Sequence, residues 1–183
     1  MYHSGNQLLD PQLLFEKIQL QSGMSIADFG CGRTGHISFP AALIVGESGS
    51  VYAIDVQKDV LDNIRSRAKM DGLSQIHTVW SNLEQVGATA IPPQSIDIVC
   101  MVNLLGQAAN PLAICAEASR LLKAKGRLLI VDWAHEGLSI APTAEKLVNM
   151  EVIAKNLDHH GFVVQEFFDA GKYHRGVVLF RHE

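Results

Sequence analysis

The stretch Ile26-Ala27-Asp28-Phe29-Gly30-Cys31-Gly32-Arg33-Thr34-Gly35-His36 decides how the chain must fold. An apolar run meets an acid, then a cluster of glycines, then the start of an amphipathic segment. That order predicts a buried strand ending in a tight turn, with a helix beginning near Gly35. Glycine admits positive φ and lets a ligand come close to the main chain. The new helix aims its unpaired N–H groups and the positive end of its dipole into the same space. The turn is therefore suited to something polar or negatively charged.

Before this stretch, residues 1–23 read as a helical arm. Leu8, Leu9, Leu13, Leu14, Ile18 and Leu20 recur at helical spacing, Asp10-Pro11 suits a cap and first position, and Ser22-Gly23 stops it. After it, a helix is expected from His36 to about Val45, with Pro40 tolerated in the first turns. Val51–Ile54 is a second strand with Asp55 at its end, and Lys58–Met70 an amphipathic helix on Val60, Leu61, Ile64 and Ala68. Strands follow at Ile76–Trp80 and Ile96–Val102, with a short helix near 83–87 between them and a loop over 103–110. A helix over Leu112–Leu122 and a turn at Lys125-Gly126 lead into a fifth strand, Arg127–Trp133. The last helix spans Thr143–His160, and strands at Phe162–Phe168 and Gly176–Phe180 close the chain around Gly171.

Strand alternates with helix, and runs such as Leu128-Leu129-Ile130-Val131 suit strands buried on both faces of a parallel sheet. The crossover rule then gives a doubly wound α/β domain. The two closing strands are too closely joined for a parallel crossover, so they should be antiparallel. At 183 residues the chain reads as a single domain over 1–183.

A net charge of −4 leaves no electrostatic footprint for a long phosphate backbone, so nucleic acid is not favoured. Cys31, Cys100 and Cys115 are odd in number and lack CxxC pairing, and they read as reduced thiols. The first residues lack a basic stretch leading into an apolar run, as a signal peptide would have, and no apolar run reaches the ~18–20 residues that cross a bilayer. A cytoplasmic protein without a membrane span is the expectation.

In open α/β sheets, ligands bind beyond the carboxyl ends of the strands, near the switch point. That rule gathers Gly30, Gly32 and Gly35 with Asp55, Ser81-Asn82 and Asn103-Leu104-Leu105. Asp55 is placed to accept from both hydroxyls of a ribose, the reading favoured by the glycine turn that precedes it at the right distance, over a plain cap for the helix that begins near Gln57.

The runs Asp28-Phe29-Gly30-Cys31-Gly32, Val51-Tyr52-Ala53-Ile54-Asp55, Ser95-Ile96-Asp97-Ile98-Val99, Arg120-Leu121-Leu122-Lys123 and Gly126-Arg127-Leu128-Leu129-Ile130-Val131-Asp132-Trp133 resemble successive motifs of class I S-adenosylmethionine-dependent methyltransferases. The likeness spans about 24–180 and is similar to the ubiquinone/menaquinone-type small-molecule branch. It implies a Rossmann-like seven-stranded sheet, mostly parallel with an antiparallel C-terminal strand. It also implies S-adenosylmethionine as cofactor and a small-molecule acceptor that takes the methyl group by in-line displacement.

Carried over by position, the resemblance puts Gly30 and Gly32 under the methionine part, with Asp28 orienting its amino group and Cys31 and Gly35 among the cofactor-binding residues. Asp55 would hold the ribose, with Val56 next to it also cofactor-binding, Asn82 and Leu83 would meet the adenine, and Asn103 would border methionine and acceptor. Two departures stand out. Arg33-Thr34 displace the third glycine of the usual Gly-x-Gly-x-Gly by one residue, and Asn82 replaces the usual acid.

The displaced glycine also makes Gly30–Gly35 read Gly-x-Gly-x-x-Gly, the dinucleotide fingerprint of an NAD(P)-dependent oxidoreductase. Against that stands Asp28, an acid that suits a zwitterionic methionine and repels a dianionic pyrophosphate. A third reading is a cofactor-binding domain whose partner subunit supplies the acceptor site.

Methyl transfer from a sulfonium needs positioning above all, and a general base only where the acceptor must lose a proton. No catalytic residue is assigned. Candidates for touching substrate are His36, Trp133, His135 and Tyr173, with His174 and, on the N-terminal arm, Tyr2 and His3. No metal site is expected. With one helix between the fifth and sixth strands there is no large lid. The acceptor pocket is then open, or completed by the N-terminal helix or by a second copy in a homodimer.

Overall fold

The apolar runs at Ile26–Phe29 and Ile98–Met101 are buried on both faces, so these strands can sit only at the centre of a covered sheet. In the computed structural model, which describes residues 8–135, 138–139 and 141–182, they lie side by side. Tyr2 and His3 fall outside the described residues.

The elements run α1 (Pro11–Ile18), β1 (Ser25–Phe29), α2 (Ser38–Val45), β2 (Ser50–Asp55), α3 (Lys58–Met70), β3 (Ile76–Trp80), β4 (Ile96–Val102), α4 (Pro111–Leu121), β5 (Leu122–Trp133), α5 (Met150–Asp158), β6 (Phe162–Asp169) and β7 (His174–Arg181). Short 3-10 turns occupy Leu105–Gln107 and Ala144–Lys146. The sheet order is β3-β2-β1-β4-β5-β7-β6. β1 to β5 are parallel, and β7 runs antiparallel between β5 and β6. This is the expected seven-stranded, doubly wound sheet with its reversed strand.

One core layer packs Leu14, Ile18, Ala41, Val45 and Ile64 from α1, α2 and α3 against Cys100 and Leu129 of the sheet. The other packs Ile114, Leu121 and Leu157 from α4 and α5 against Phe29, Ile54, Met101 and Ile130. Each Leu, Ile, Val, Phe or Met among them stabilises the fold by roughly 1.5–3 kcal/mol on burial. At the far end from the strand tips, Asp97 accepts from Ser25 N at 2.8 Å and from Lys123 Nζ at 2.7 Å, tying β1, β4 and β5 together.

Four local expectations need correction. No helix forms at 83–87: Asn82 turns the chain by accepting from Glu84 N at 3.1 Å, and the segment is a run of turns. α2 begins at Ser38, because residues 32–37 stay in turns after the glycines. The last helix starts at Met150, seven residues late, where Asn149 Oδ1 caps it by accepting from Val152 N at 3.0 Å, and it ends at Asp158. Lys125-Gly126 does not separate helix from strand. β5 runs on from Leu122, and Lys125 at φ +66° sits in a shift of register between Ile96↔Leu122 and Ile98↔Arg127. The Asp10 cap is as expected, accepting from Gln12 N at 2.9 Å with Pro11 at the first helical position.

Candidate functional site

β1 ends where Gly30 and Gly32 turn the chain at φ +70° and +62°. The N–H groups of Gly30 and Cys31 both reach the carbonyl of Ile54 on β2, at 2.9 and 3.0 Å, so the turn is bound to its neighbour strand. A Cβ on Gly32 would meet nothing nearer than Gly30 O at 4.0 Å; the space above it is open. Gly35 is different. A Cβ there would lie 2.7 Å from Phe39 Cδ2 and 2.8 Å from Ile64 Cδ1. The displaced third glycine thus lets the turn pack on α2 and α3.

Asp55 ends β2 with both carboxylate oxygens engaged. Oδ2 accepts from Gly32 N at 3.2 Å and Oδ1 from Gln57 N at 3.0 Å. It fastens the glycine turn to the start of α3 and still reaches open space. Asp28 lies beneath the turn, 2% exposed, with Oδ2 accepting from the Ser38 hydroxyl at 2.6 Å. Burial pushes its carboxyl up to about 6 against the pull of Ser38, and the nearby Asp55 charge adds to the rise.

A cavity of about 800 Å³ opens over the carboxyl ends of the parallel strands. One wall holds Gly30, Gly32, Asp55, Val56, Asn82, Leu83 and Glu84. The other holds Asn103, Gly106, Gln107, Asp132, Trp133, Thr143 and Lys146. Distant parts of the chain therefore meet, as the strand-end rule requires. Asn103 stands at φ +54°, a left-handed conformation that Asn tolerates, and its carbonyl accepts from Gln107 Nε2 at 2.7 Å.

Asp28, Cys31, Gly35, His36, His135 and Tyr173 are not on the cavity wall. The Cys31 thiol is buried in the core, which pushes its pKa up. His36 Nε2 donates to the Leu9 carbonyl at 3.0 Å, holding the chain before α1 against the glycine turn. His135 opens instead on a neighbouring hollow of about 400 Å³ beside Glu151, Asp169 and Arg175. Tyr173 packs on Trp133 with ring centroids 6.4 Å apart. His174 is buried behind Trp133, centroids 4.3 Å apart, and burial lowers its pKa to about 4.

The site role of Asp132 was not read from the sequence. It ends β5 next to Trp133, 2% exposed. Its carboxylate accepts from Trp133 N at 2.9 Å and Gly106 N at 3.2 Å, which pins the turn after β4 to the end of β5. Burial raises its pKa, opposed by the N–H groups of Trp133, Gly106, Leu105 and Leu104. An acid at the end of a central strand was the available signal. Thr143 and Lys146 carried none, since nothing in their local sequence marks a cavity wall.

A family model described as "Methyltransferase domain" matches residues 20–170. The chain belongs to the methyltransferase domain family. Among its relatives, the demethylmenaquinone methyltransferase of Lactococcus lactis subsp. lactis is 30% identical over 128 residues, 69% of this chain and 48% of that protein. Nocamycin O-methyltransferase of Saccharothrix syringae is 31% identical over 150 residues, 77% of this chain and 52% of that protein. This methyltransferase domain thus spans about half the length of the curated relatives it matches. The crystal structure of a SAM dependent methyltransferase from Aquifex aeolicus superposes with a TM-score of 0.85 at 26% identity, covering 98% of this chain and 94% of that one. The class I likeness read from the sequence is borne out in fold and family, and the nicotinamide alternative is not supported.

Proposed function

We propose that this methyltransferase domain, acting as one domain over 1–183, binds S-adenosylmethionine on the glycine-turn wall and transfers its methyl group to a small acceptor on the other. The observation that carries the reading is one continuous cavity bearing Gly30, Gly32 and Asp55 at one end and Asp132 and Trp133 at the other. The cofactor fits the residues present. The open space above Gly32 is a cradle that any side chain at that position would fill. The names of the two relatives, for demethylmenaquinone and nocamycin, favour a small-molecule acceptor.

When bound, S-adenosylmethionine supplies a methyl group already activated on a sulfonium centre. Everything else falls to the chain. Gly30 and Gly32 hold the methionine part against the turn, with Asp28 and Ser38 supporting it from beneath. Asp55 accepts from the ribose hydroxyls while its N–H partners keep it in place. Leu83 would wall the adenine, with Val56 beside Asp55 on the cofactor side of the cavity, and the Asn82 amide oxygen would accept from the exocyclic amine. Asn103 and Trp133 border the acceptor. Fixing two reactants in line supplies up to roughly 7–11 kcal/mol of acceleration, so no single catalytic group is required.

The reading extends to a cytoplasmic setting, supported by Cys31, Cys100 and Cys115 being free and buried, and by no helix of the described residues being long and apolar enough to cross a membrane. It also extends to a homodimer, supported by Val163, Val164 and Phe167 exposed along the edge strand β6 and testable by sedimentation. The deciding experiment is calorimetric titration with S-adenosylmethionine, S-adenosylhomocysteine and NADH. Micromolar binding of both adenosyl compounds without NADH is expected. Binding of NADH alone would overturn the reading.

A further inference from the structure

Charge is unevenly committed around the cavity. Asp55, Glu84 and Asp132 reach its wall, and each is already held by backbone N–H groups. Asp55 takes those of Gln57 and Gly32, and Glu84 those of Ala109 and Asn110 at 3.1 and 3.0 Å. Asp132 takes those of Trp133 and Gly106.

Lys146 is the opposite case. Among the described residues it is the one cationic residue lining the cavity, it is exposed, and no carboxylate pairs with it. Its backbone is fixed: Lys146 N donates to Thr143 O at 2.8 Å, and its carbonyl lies where a Cβ on Gly106 would come within 2.5 Å. The acceptor half therefore presents one acid, Asp132, whose charge is opposed by the N–H groups of Trp133, Gly106, Leu105 and Leu104, and one cation, Lys146, that no carboxylate pairs among the described residues. Such a hollow attracts an anion.

We propose that Lys146 selects an acceptor carrying an ionised acidic oxygen, a phenolate or enolate, and holds that oxygen toward the methyl donor. This rests on the methyl-transfer reading above. The oxygen lone pair forms the new O–C bond, and the S–C bond breaks with its electron pair left on sulfur. The acceptor anion and the sulfonium cation both end neutral, and no proton has to move. That matches a wall whose carboxylates are all committed and whose neighbouring histidines, His36, His135 and His174, lie off the cavity.

The test uses two probes of one shape, 4-nitrophenol and its methyl ether 4-nitroanisole, titrated into the protein with S-adenosylhomocysteine at low salt. Absorbance reads the ionised fraction of bound nitrophenol. We expect 4-nitrophenolate to bind at least tenfold more tightly than 4-nitroanisole. We expect bound nitrophenol to ionise at lower pH than in free solution. Lys146→Gln should abolish both effects and Lys146→Arg retain them, with affinity for S-adenosylhomocysteine unchanged within twofold. Equal binding of the two probes, saturable binding of neither, or an unaltered preference in Lys146→Gln would overturn the proposal. If S-adenosylhomocysteine itself fails to bind, the methyl-transfer reading fails, while the two probes on the free chain still decide the anion preference.

Discussion

The wall from Gly30 to Glu84 hangs from the tips of β1, β2 and β3, whereas the segment from Ala141 to Lys146 that faces it is loop and one 3-10 turn. On the first wall Asp55 ties two turns together and Gly35 locks the loop onto Phe39 and Ile64. On the second, Gly106 meets the backbone of Lys146, and Asp132 holds the turn that carries Gly106 against the end of β5. A wall seated on buried strands is preorganised for a constant ligand. The loop segment from Ala141 to Lys146, with no buried side chain, can vary with the acceptor at little cost to the fold.

The harshest way to break the comparison is to remove the seat of the first wall. Gly35→Ala forces a Cβ to within 2.7 Å of Phe39 at a φ of +56°. It should lower stability by about 2–4 kcal/mol, read as a shift in urea midpoint. An unchanged midpoint would mean that the turn yields and that Gly35 has no packing role. Glu117 is the next target. Burial pushes its carboxyl up, but the Arg120 guanidinium and the N–H groups of Gly87 and Thr89 outweigh that and bring it down to about 2. A depressed carboxylate contributes stability above its unfolded value near 4.5, and that contribution is lost as pH falls through about 2. Glu117→Gln should therefore cost roughly 2–3 kcal/mol at pH 7, with the gap from wild type closing in acid. A gap independent of pH would sink the assignment.

The same contrast explains what the sequence made legible. β3, β4 and α3 begin and end as read, because their apolar patterns are bounded by strong turn residues. The segments at 83–87 and 143–149 went astray because Asn82 and Asn149 use their side chains to turn or cap the chain. Such a choice between local hydrogen bonds is invisible to periodicity. The first wall was legible for a related reason. Its residues sit in short motifs at strand ends, whereas Gly106 and Lys146 lie in no such motif and join Asp132 only through the fold. Asp28 was legible as an acid near the turn, but its burial under Ser38 was not.

Milder changes sharpen the comparison by acting on one wall at a time. Asp55→Ala should weaken S-adenosylhomocysteine binding more than tenfold, ~1.4 kcal/mol or more. It should also cost about 1 kcal/mol of stability by stranding the N–H groups of Gly32 and Gln57. Unchanged affinity would remove Asp55 from the site. Gly106→Ala presses on Lys146 O from 2.5 Å and should do the reverse. Binding of 4-nitrophenolate should fall about tenfold, ~1.4 kcal/mol, with S-adenosylhomocysteine affinity within twofold of wild type. If both ligands weaken equally, the two walls are not independent.

The smallest expected effect lies behind Trp133. His174 is buried with both ring nitrogens lacking a hydrogen-bond partner among the described residues, and its pKa falls to about 4. As pH drops from about 6.5 toward 4, the unfolded chain takes up a proton that the folded chain refuses, so stability must decline across that window. Above it the group is neutral in both states and contributes no slope. His174→Phe keeps a ring against Trp133 and deletes the titration. It should remove about 1 kcal/mol of the stability lost between pH 7 and pH 5.5. Urea midpoints at the two pH values, in wild type and variant, measure it directly. Equal losses in both would mean that the histidine is protonated in place, which would put water or a counter-charge beside Trp133 and make the second wall wetter than its packing implies.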